Sequence, residues 1–201
     1  MEPEFDERSL VVRSQGGDLD AFNILVERFQ RPTYNLCLRM MASATAAEDA
    51  TQEAFIAAYR AIKSFRGGSF RAWLFRIAAN TCYDELRRLK SRPALSLDMA
   101  HGEGEAPFDL PSPEPGPEDE VQRLEFHREL QEALAELPSE QRLAIILCDA
   151  QGLDYAEIAL TMNVSLGTVK SRISRARQRL RQILSRREPF VTRSRQTSGD
   201  M

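Results

Sequence analysis

A run of basic and small polar side chains near the carboxyl end has the composition of a surface that reads duplex DNA. Projected at 100° per residue, residues 166–184 turn an apolar stripe to one side and polar side chains to the other. Arg175 could pair bidentately with a guanine in the major groove. The residues better placed for phosphates are Lys170, Arg172, Arg179 and Arg181. The candidate duplex contacts are Lys170, Ser171, Ser174, Arg175 and Arg177.

A second polar stripe, within residues 69–90, suits single-stranded DNA. Cations can follow phosphates, an amide can read base edges and an aromatic ring can stack on a base. The preceding loop, residues 64–70, is rich in glycine, so its backbone could closely approach a flipped base. The stripe consists of Arg76, Asn80, Tyr83 and Arg87, whereas core packing is the simpler interpretation of Phe70, Trp73, Phe75 and Cys82.

A third polar face lies on residues 46–63, opposite a stripe of alanine and aromatic side chains. It combines acidic and amide groups with one apolar side chain, which suits a partner protein that carries basic helices. On the pattern alone, a solvated helix face is the commoner explanation. The residues of this face are Asp49, Gln52, Glu53, Ile56 and Arg60.

Helices must position these three faces, because the apolar period is helical and strand signals are absent. Thr45 and Glu48 have the spacing of a capping box, which predicts a helix over residues 46–63. Ser69 can cap the next helix, which runs to about Lys90. Pro32 is expected to kink or restart the helix that begins near residue 18.

The carboxyl-terminal half predicts a helix-turn-helix. Asp154 and Glu157 form a second capping box, Asn163 suits a left-handed turn and Ser165 can cap the last helix. A short helix, a tight turn and a long basic helix are the layout of a DNA-reading motif.

Residues 91–117 separate the two halves. This segment holds six of the ten prolines, and residues 91–120 carry eight acidic residues against one basic residue. We therefore predict an all-α fold of two small helical domains joined by a flexible, acidic, proline-rich linker. The N-terminal helical bundle spans 1–90, the linker 91–117, the helix-turn-helix domain 118–187 and a disordered tail 188–201.

Composition excludes several other classes. The 201 residues have a net charge of −3, but residues 164–201 hold ten basic and two acidic residues, a local footprint for nucleic acid. Three separated cysteines and two histidines argue against disulfides, a metal site or a cofactor site. No apolar run is long enough to insert in a membrane, and no nucleophile–base constellation appears. We expect a non-enzymatic cytoplasmic protein with reduced thiols.

Three segments resemble bacterial RNA polymerase sigma factors of the extracytoplasmic-function (ECF) type, in the sigma-70 family. These segments carry motifs in the order that the family shows, with a linker between the second and the third, and the resemblance covers roughly residues 5–185. They are Ala47–Arg60, Phe65–Thr81, and Gly152–Ala159 followed by Gly167–Arg177.

The resemblance implies a role for each face. The acidic face, with Asp49, Gln52, Glu53 and Ile56, would dock on the clamp helices of the largest polymerase subunit. The loop that begins at Arg66, together with the second stripe, would open and read the minus-ten promoter element as single strands. The last helix would read the minus-thirty-five element as duplex, and an anti-sigma factor would block the polymerase-facing surfaces.

Two other functions remain open on the residues alone. A conventional helix-turn-helix regulator would bind duplex DNA without polymerase and would not need the stripe from Arg76 to Arg87. An adaptor that binds only proteins would leave the face from Lys170 to Arg177 idle.

Overall fold

The computed structural model describes the backbone of residues 6–91 and 117–186, and the side chains of 6–91 and 125–186. Within these ranges the chain is helical without strands, which confirms the all-α prediction. The predicted linker, apart from its helical end residues Ser91 and Pro117, and the predicted tail lie outside the described residues. The helices are α1 Glu7–Gln15, α2 Leu19–Met41, α3 Ala44–Ala61, α4 Phe70–Ser91, α5 Pro117–Ala135, α6 Ser139–Ile145, α7 Tyr155–Met162 and α8 Leu166–Arg186.

The start of α3 differs from the prediction. Ser43, not Thr45, is the N-cap, and its hydroxyl accepts from the amide of Ala46 at 3.4 Å. Ala42 has a left-handed backbone with φ of 57°, so the chain reverses at once after α2 and Ser43 alone has the extended conformation that an N-cap needs. At Pro32, where a kink or a restart was expected, α2 does not restart but continues as one helix.

The four helices α1 to α4 form the N-terminal module around an apolar core. Its outer part is aromatic, with Phe29, Phe65 and Trp73 packed around the buried ring of Phe70. The small residues that line the inner side of α3 let this helix pack closely on α2 and α4. These buried residues are Ala47, Ala50, Ala54 and Ala58.

The C-terminal module contains α5 to α8. Asp154 and Glu157 form both bonds of the predicted capping box, and Asn163 has the left-handed conformation predicted for it, with φ of 53°. A π-helical turn, Ile146–Ala150, continues α6 and was not predicted. It is closed by the amide of Gln151, which donates to the Ile146 carbonyl five residues earlier at 2.9 Å.

The two modules pack against each other through a shared apolar core. Met40 and Phe75 of the N-terminal module belong to the same buried cluster as Leu143 and Leu147 of α6 and its π turn. The sequence predicted the modules but not this contact.

Polar side chains of the C-terminal module cap the carboxyl end of α2. A guanidinium nitrogen of Arg142 donates to the Met40 carbonyl at 2.6 Å, and the amide of Gln131 donates to Leu38 at 2.9 Å and to Arg39 at 3.2 Å. The last carbonyls of a helix have no partner within it, so α2 ends with bonds from the other module.

A second polar contact lies beside the π turn. The side-chain amide of Gln151 donates to the Pro32 carbonyl at 3.0 Å and accepts from Arg71 of α4 at 3.3 Å. Nearby, the hydroxyl of Thr161 on α7 donates to the Ala72 carbonyl at 3.3 Å. Hydrogen bonds therefore join the modules at both ends of the contact.

Replacing Gln131 and Gln151 by Ala together should loosen this contact. The double variant removes four hydrogen bonds that all cross between the modules, so at about 1 kcal/mol net for each bond it should weaken the closed arrangement by about 4 kcal/mol. Small-angle X-ray scattering should show a larger radius of gyration than for the parent chain. The matched control, Gln30→Ala with Gln182→Ala, changes exposed glutamines and should scatter as the parent does. An unchanged radius in the first variant contradicts the prediction.

Candidate nucleic-acid and polymerase interfaces

The exposed side of α8 is the first candidate surface. Ser165 begins the helix, with its hydroxyl accepting from the amide of Thr168 at 3.1 Å. The predicted inward stripe is buried at four positions and half-buried at Leu184, so α8 is anchored along most of its length. Lys170, Ser174 and Arg175 are exposed, as the helical projection predicted. The buried stripe consists of Val169, Ile173, Ala176 and Leu180.

The stripe on α4 is only partly open. Arg76, Asn80 and Arg87 are exposed, and Arg87 forms an ion pair with Asp84 on its own helix. Tyr83 is half-buried against the other module. Burial, and then the nearby carboxylate of Glu140, raise the pKa of Tyr83 to about 12. The residues expected to be core under this stripe are buried at Phe70, Phe75 and Cys82 and partly buried at Trp73.

Arg76 faces the C-terminal module across a groove of about 570 Å³. The opposite wall is formed by α7, the turn that follows it and the first residue of α8, Leu166. One residue of the α4 stripe thus lies on this groove, and none of the five candidate duplex contacts of α8 lines it.

The loop before α4 carries Arg66 into solvent. Gly67 and Gly68 have φ values of 100° and 89°, and a Cβ at either residue would meet nothing within 4 Å. The backbone conformation, not crowding, therefore requires glycine at both positions.

The acidic face of α3 is open along its length, because Asp49, Gln52 and Glu53 are exposed. Ile56 is 44% exposed, and it lies on a groove of about 380 Å³ together with Tyr59. An apolar side chain beside exposed carboxylates is the combination that the sequence predicted for a protein partner. Phe22, Phe55 and Arg60 complete the groove.

In the part of the chain that the structure describes, no group of three or more potential ligands could hold a metal ion. None of the helices described is both long enough and apolar enough to cross a membrane.

Comparison with known proteins matches both modules. The family described as sigma-70 region 2 matches residues 25–92, and the family described as sigma-70 region 4 matches residues 127–180. The ECF RNA polymerase sigma-E factor of Escherichia coli K12 is 39% identical over 89% of this chain and 94% of its own. The chain belongs to the ECF group of the sigma-70 family.

Other relatives support the same assignment for this sigma factor. The sigma factor SigE of Mycolicibacterium smegmatis is 34% identical over 96% of this chain and 74% of its own. The solved structure of CnrH in complex with the cytosolic domain of CnrY has a TM-score of 0.67 and 27% identity, and it covers 90% of this chain and 97% of that one. RpoE of Bartonella quintana, solved with the anti-sigma factor NepR, has a TM-score of 0.60 and 26% identity over 82% of this chain and 96% of that one.

Two basic residues of α8 in this sigma factor are held by acidic residues that sequence reasoning missed. Arg177 forms two hydrogen bonds with Asp149 of the π turn, at 2.6 and 3.2 Å, and Arg172 pairs with Glu140 of α6. Arg177 lowers the pKa of the Asp149 carboxyl by hydrogen bonding, and the same contact raises the pKa of the guanidinium. Arg177 thus lies at the edge of the exposed face, and its ion pair with Asp149 connects α8 to the π turn.

Ser171 also makes a local contact, because its hydroxyl donates to the Thr168 carbonyl at 2.9 Å and its side chain is half-buried. Of the five candidate duplex contacts, Lys170, Ser174 and Arg175 are the exposed ones without a bond to another part of the described chain. No local sequence pattern signals the bonds of Arg177, because Asp149 lies 28 residues away.

Asp149→Asn should lower the free energy of unfolding at neutral pH and leave it unchanged in acid. Both partners of the ion pair are about half exposed, 49% and 44%, so the loss should stay below about 1 kcal/mol. Because the folded-state pKa of Asp149 is lowered, its carboxylate stabilises the fold above the usual value of 3.8, and this contribution is lost as pH falls through the folded-state pKa.

Urea unfolding of the variant and the parent, from neutral pH downward, measures this difference. Asp84→Asn is the control, because the pair of Asp84 with Arg87 lies within one helix and is 70% and 76% exposed. A difference between Asp149→Asn and the parent that stays constant with pH contradicts the assignment.

Proposed function

We propose that this sigma factor reads its two promoter elements with the exposed faces of α8 and α4 and binds core polymerase with the exposed face of α3. As a sigma factor it directs promoter-specific transcription initiation. The observation that carries the residue assignments is the outward direction of Arg175 on one module and of Arg76 and Asn80 on the other.

The α8 face would read the minus-thirty-five element as duplex. Lys170 and Arg175 are exposed cations on a buried, anchored helix, and the small Ser174 between them leaves room for close approach to base edges. Ser171 and Arg177, which already bond within the module, would contribute at the edge of this contact.

The α4 face and its loop would read the minus-ten element as single strands. Arg66, Arg76 and Arg87 supply positive charge, and Asn80 supplies an amide for base edges. Tyr83 is half-buried against the apolar cluster that the two modules share, so its whole ring can stack on a base only after the modules separate. Minus-ten binding by the full stripe therefore requires opening of the contact between the modules.

The α3 face would dock on the clamp helices of the largest polymerase subunit. Asp49, Gln52 and Glu53 offer charge to a basic partner, and Ile56 offers an apolar contact beside them. Buried apolar contact surrounded by charge combines affinity with specificity.

We also infer that an anti-sigma factor controls this protein. A solved sigma factor bound to its anti-sigma factor matches 82% of this chain, so the match spans both modules together. The role requires no catalysis by the chain itself, since the family acts through binding. A partner of RNA polymerase acts where the bacterial chromosome lies, and we therefore assign the protein to the cytoplasm.

Glu53→Arg should reduce binding to core RNA polymerase at least about tenfold, because it places a cation against a basic partner. The control is Glu27→Arg, the same change at an exposed position on α2. Binding is measured by titrating labelled core enzyme, and activity by promoter-directed transcription with core enzyme. Equal binding by the two variants rejects the α3 surface. Duplex binding with no gain in transcription at any promoter of the source genome would favour a conventional regulator instead.

Arg175→Ala should cost about 1–3 kcal/mol of binding to the preferred duplex and should relax base preference at one position. Arg179→Ala removes an exposed cation of the same helix that is placed for phosphates, so it should weaken binding to all duplexes alike. Fluorescence anisotropy with matched and single-base variant duplexes separates these outcomes. A uniform loss for Arg175→Ala makes Arg175 a phosphate contact.

A further inference from the structure

Helix α1 holds both ends of the glycine loop that precedes α4. The side-chain amide of Gln15 donates to the Ile62 carbonyl at 3.1 Å and to the Phe65 carbonyl at 2.8 Å, at the entrance of the loop. At the exit, a carboxylate oxygen of Glu7 accepts from the amide of Phe70 at 3.3 Å. Bonds from one helix thus fix the two points between which the loop turns outward.

Two of these three bonds reach backbone groups that have no partner within a helix. The Phe70 amide is the first of α4, where the first N–H groups have no acceptor within the helix. The Phe65 carbonyl lies after the 3₁₀ turn Ile62–Ser64 and before the glycines, outside any regular element. Gln15 donates both hydrogens of its side-chain amide, so two hydrogen bonds fix the orientation of this amide group.

The loop needs such support because its own sequence gives it little. Gly67 and Gly68 have no side chains to pack and turn through positive φ into open space. Glycine loses more conformational freedom on ordering than other residues, and a loop that is ordered before it binds avoids that loss at the moment of binding. α1 itself is fixed, since Leu10 and Val11 are buried in the core with Phe22 and Phe65.

We propose that Gln15 and Glu7 are positioning residues for recognition of the minus-ten element: they set the shape of the loop at residues 66–69, in which a flipped base is read. This proposal rests on the proposed role of the loop. It assigns a function to α1, which lies outside the matched region 25–92. Neither side chain needs to touch DNA.

Gln15→Glu tests the proposal with almost no change of shape. A carboxylate cannot donate, and it places negative charge beside the two carbonyls that the amide now binds. Glu7→Ala removes the acceptor of the Phe70 amide at the exit of the loop. Gln30→Glu adds the same charge at an exposed position on α2 and is the matched control.

The full chain, assembled with core RNA polymerase, selects from a pool of short single-stranded DNA of random sequence, and the bound strands are sequenced. Gln15→Glu should lower the enrichment of the preferred base at one position about fivefold, the factor that one net hydrogen bond represents. Preferences at the other positions should persist. Glu7→Ala should lower the same enrichment, and Gln30→Glu should select as the parent does. Hydrogen exchange of the amides at 66–69 should be faster in Gln15→Glu and Glu7→Ala than in the parent chain or Gln30→Glu.

Any other result overturns either the proposed role of the loop or the positioning role of α1. If the parent enriches no base at any position, the role of the loop and α4 in reading single strands fails, and the positioning role fails with it. If the parent selects bases and Gln15→Glu selects them equally, only the positioning role fails. An equal loss at every position makes Gln15 a general stabilising residue, which also overturns the proposal.

Discussion

The arrangement of this molecule depends on one buried guanidinium. Arg142 is only 8% exposed and donates to the carboxyl ends of two helices, to Met40 of α2 and to Ala135 and Leu137 at the end of α5. Carbonyls at a helix end carry the negative part of the helix dipole, so they can partner a cation without a carboxylate. Burial alone lowers the pKa of Arg142, and these carbonyls are what makes its burial tolerable. The position of one module on the other is thus determined by hydrogen-bond directions as well as by apolar packing.

The π turn after α6 serves both modules at once. One added residue in a helical turn rotates the side chains that follow it, so Asp149 reaches Arg177 on α8 while Gln151 reaches Pro32 and Arg71 in the N-terminal module. The same local irregularity therefore anchors α8 and contributes to the contact between the modules. Asp149 and Gln151 are only two residues apart in sequence, yet they act on opposite sides of α6.

Sequence patterns of a few residues predicted the features that contacts between residues close in sequence determine. Asp154, Asn163 and Ser165 begin or end helices through bonds that span three or four residues, and the structure has each of them in its predicted role. The outward faces of α3 and α8 followed from helical period for the same reason. The start of α3 was predicted wrongly, because two hydroxyls compete and the left-handed Ala42 decides between them. Side chains can be assigned to a face by period, but whether another element covers that face depends on the fold.

Long-range contacts account for the remaining differences. Tyr83 has the period of an exposed residue on its own helix, and it is half-buried because it packs against an apolar cluster that draws residues from both modules. Arg142 and Met40 lie 102 residues apart, and Gln151 and Pro32 lie 119 apart. No pattern at helical spacing carries that information. The linker composition predicted that the modules are separable, but it gave no sign that they also share a core.

A contact of this kind can hold two modules together and still release them. The apolar part of the contact favours the closed arrangement. Much of the geometry of the contact comes from polar groups, and water can hydrogen-bond to these groups after the modules separate. Arg142, Gln131 and Gln151 would regain hydration, and the carbonyls at the end of α2 would do the same, so opening leaves no polar group without a partner. Once the modules are apart, binding of one module to a promoter holds the other nearby at a high effective concentration, because both are on one chain. The same polar residues that order the closed form therefore lower the free-energy cost of separating the modules.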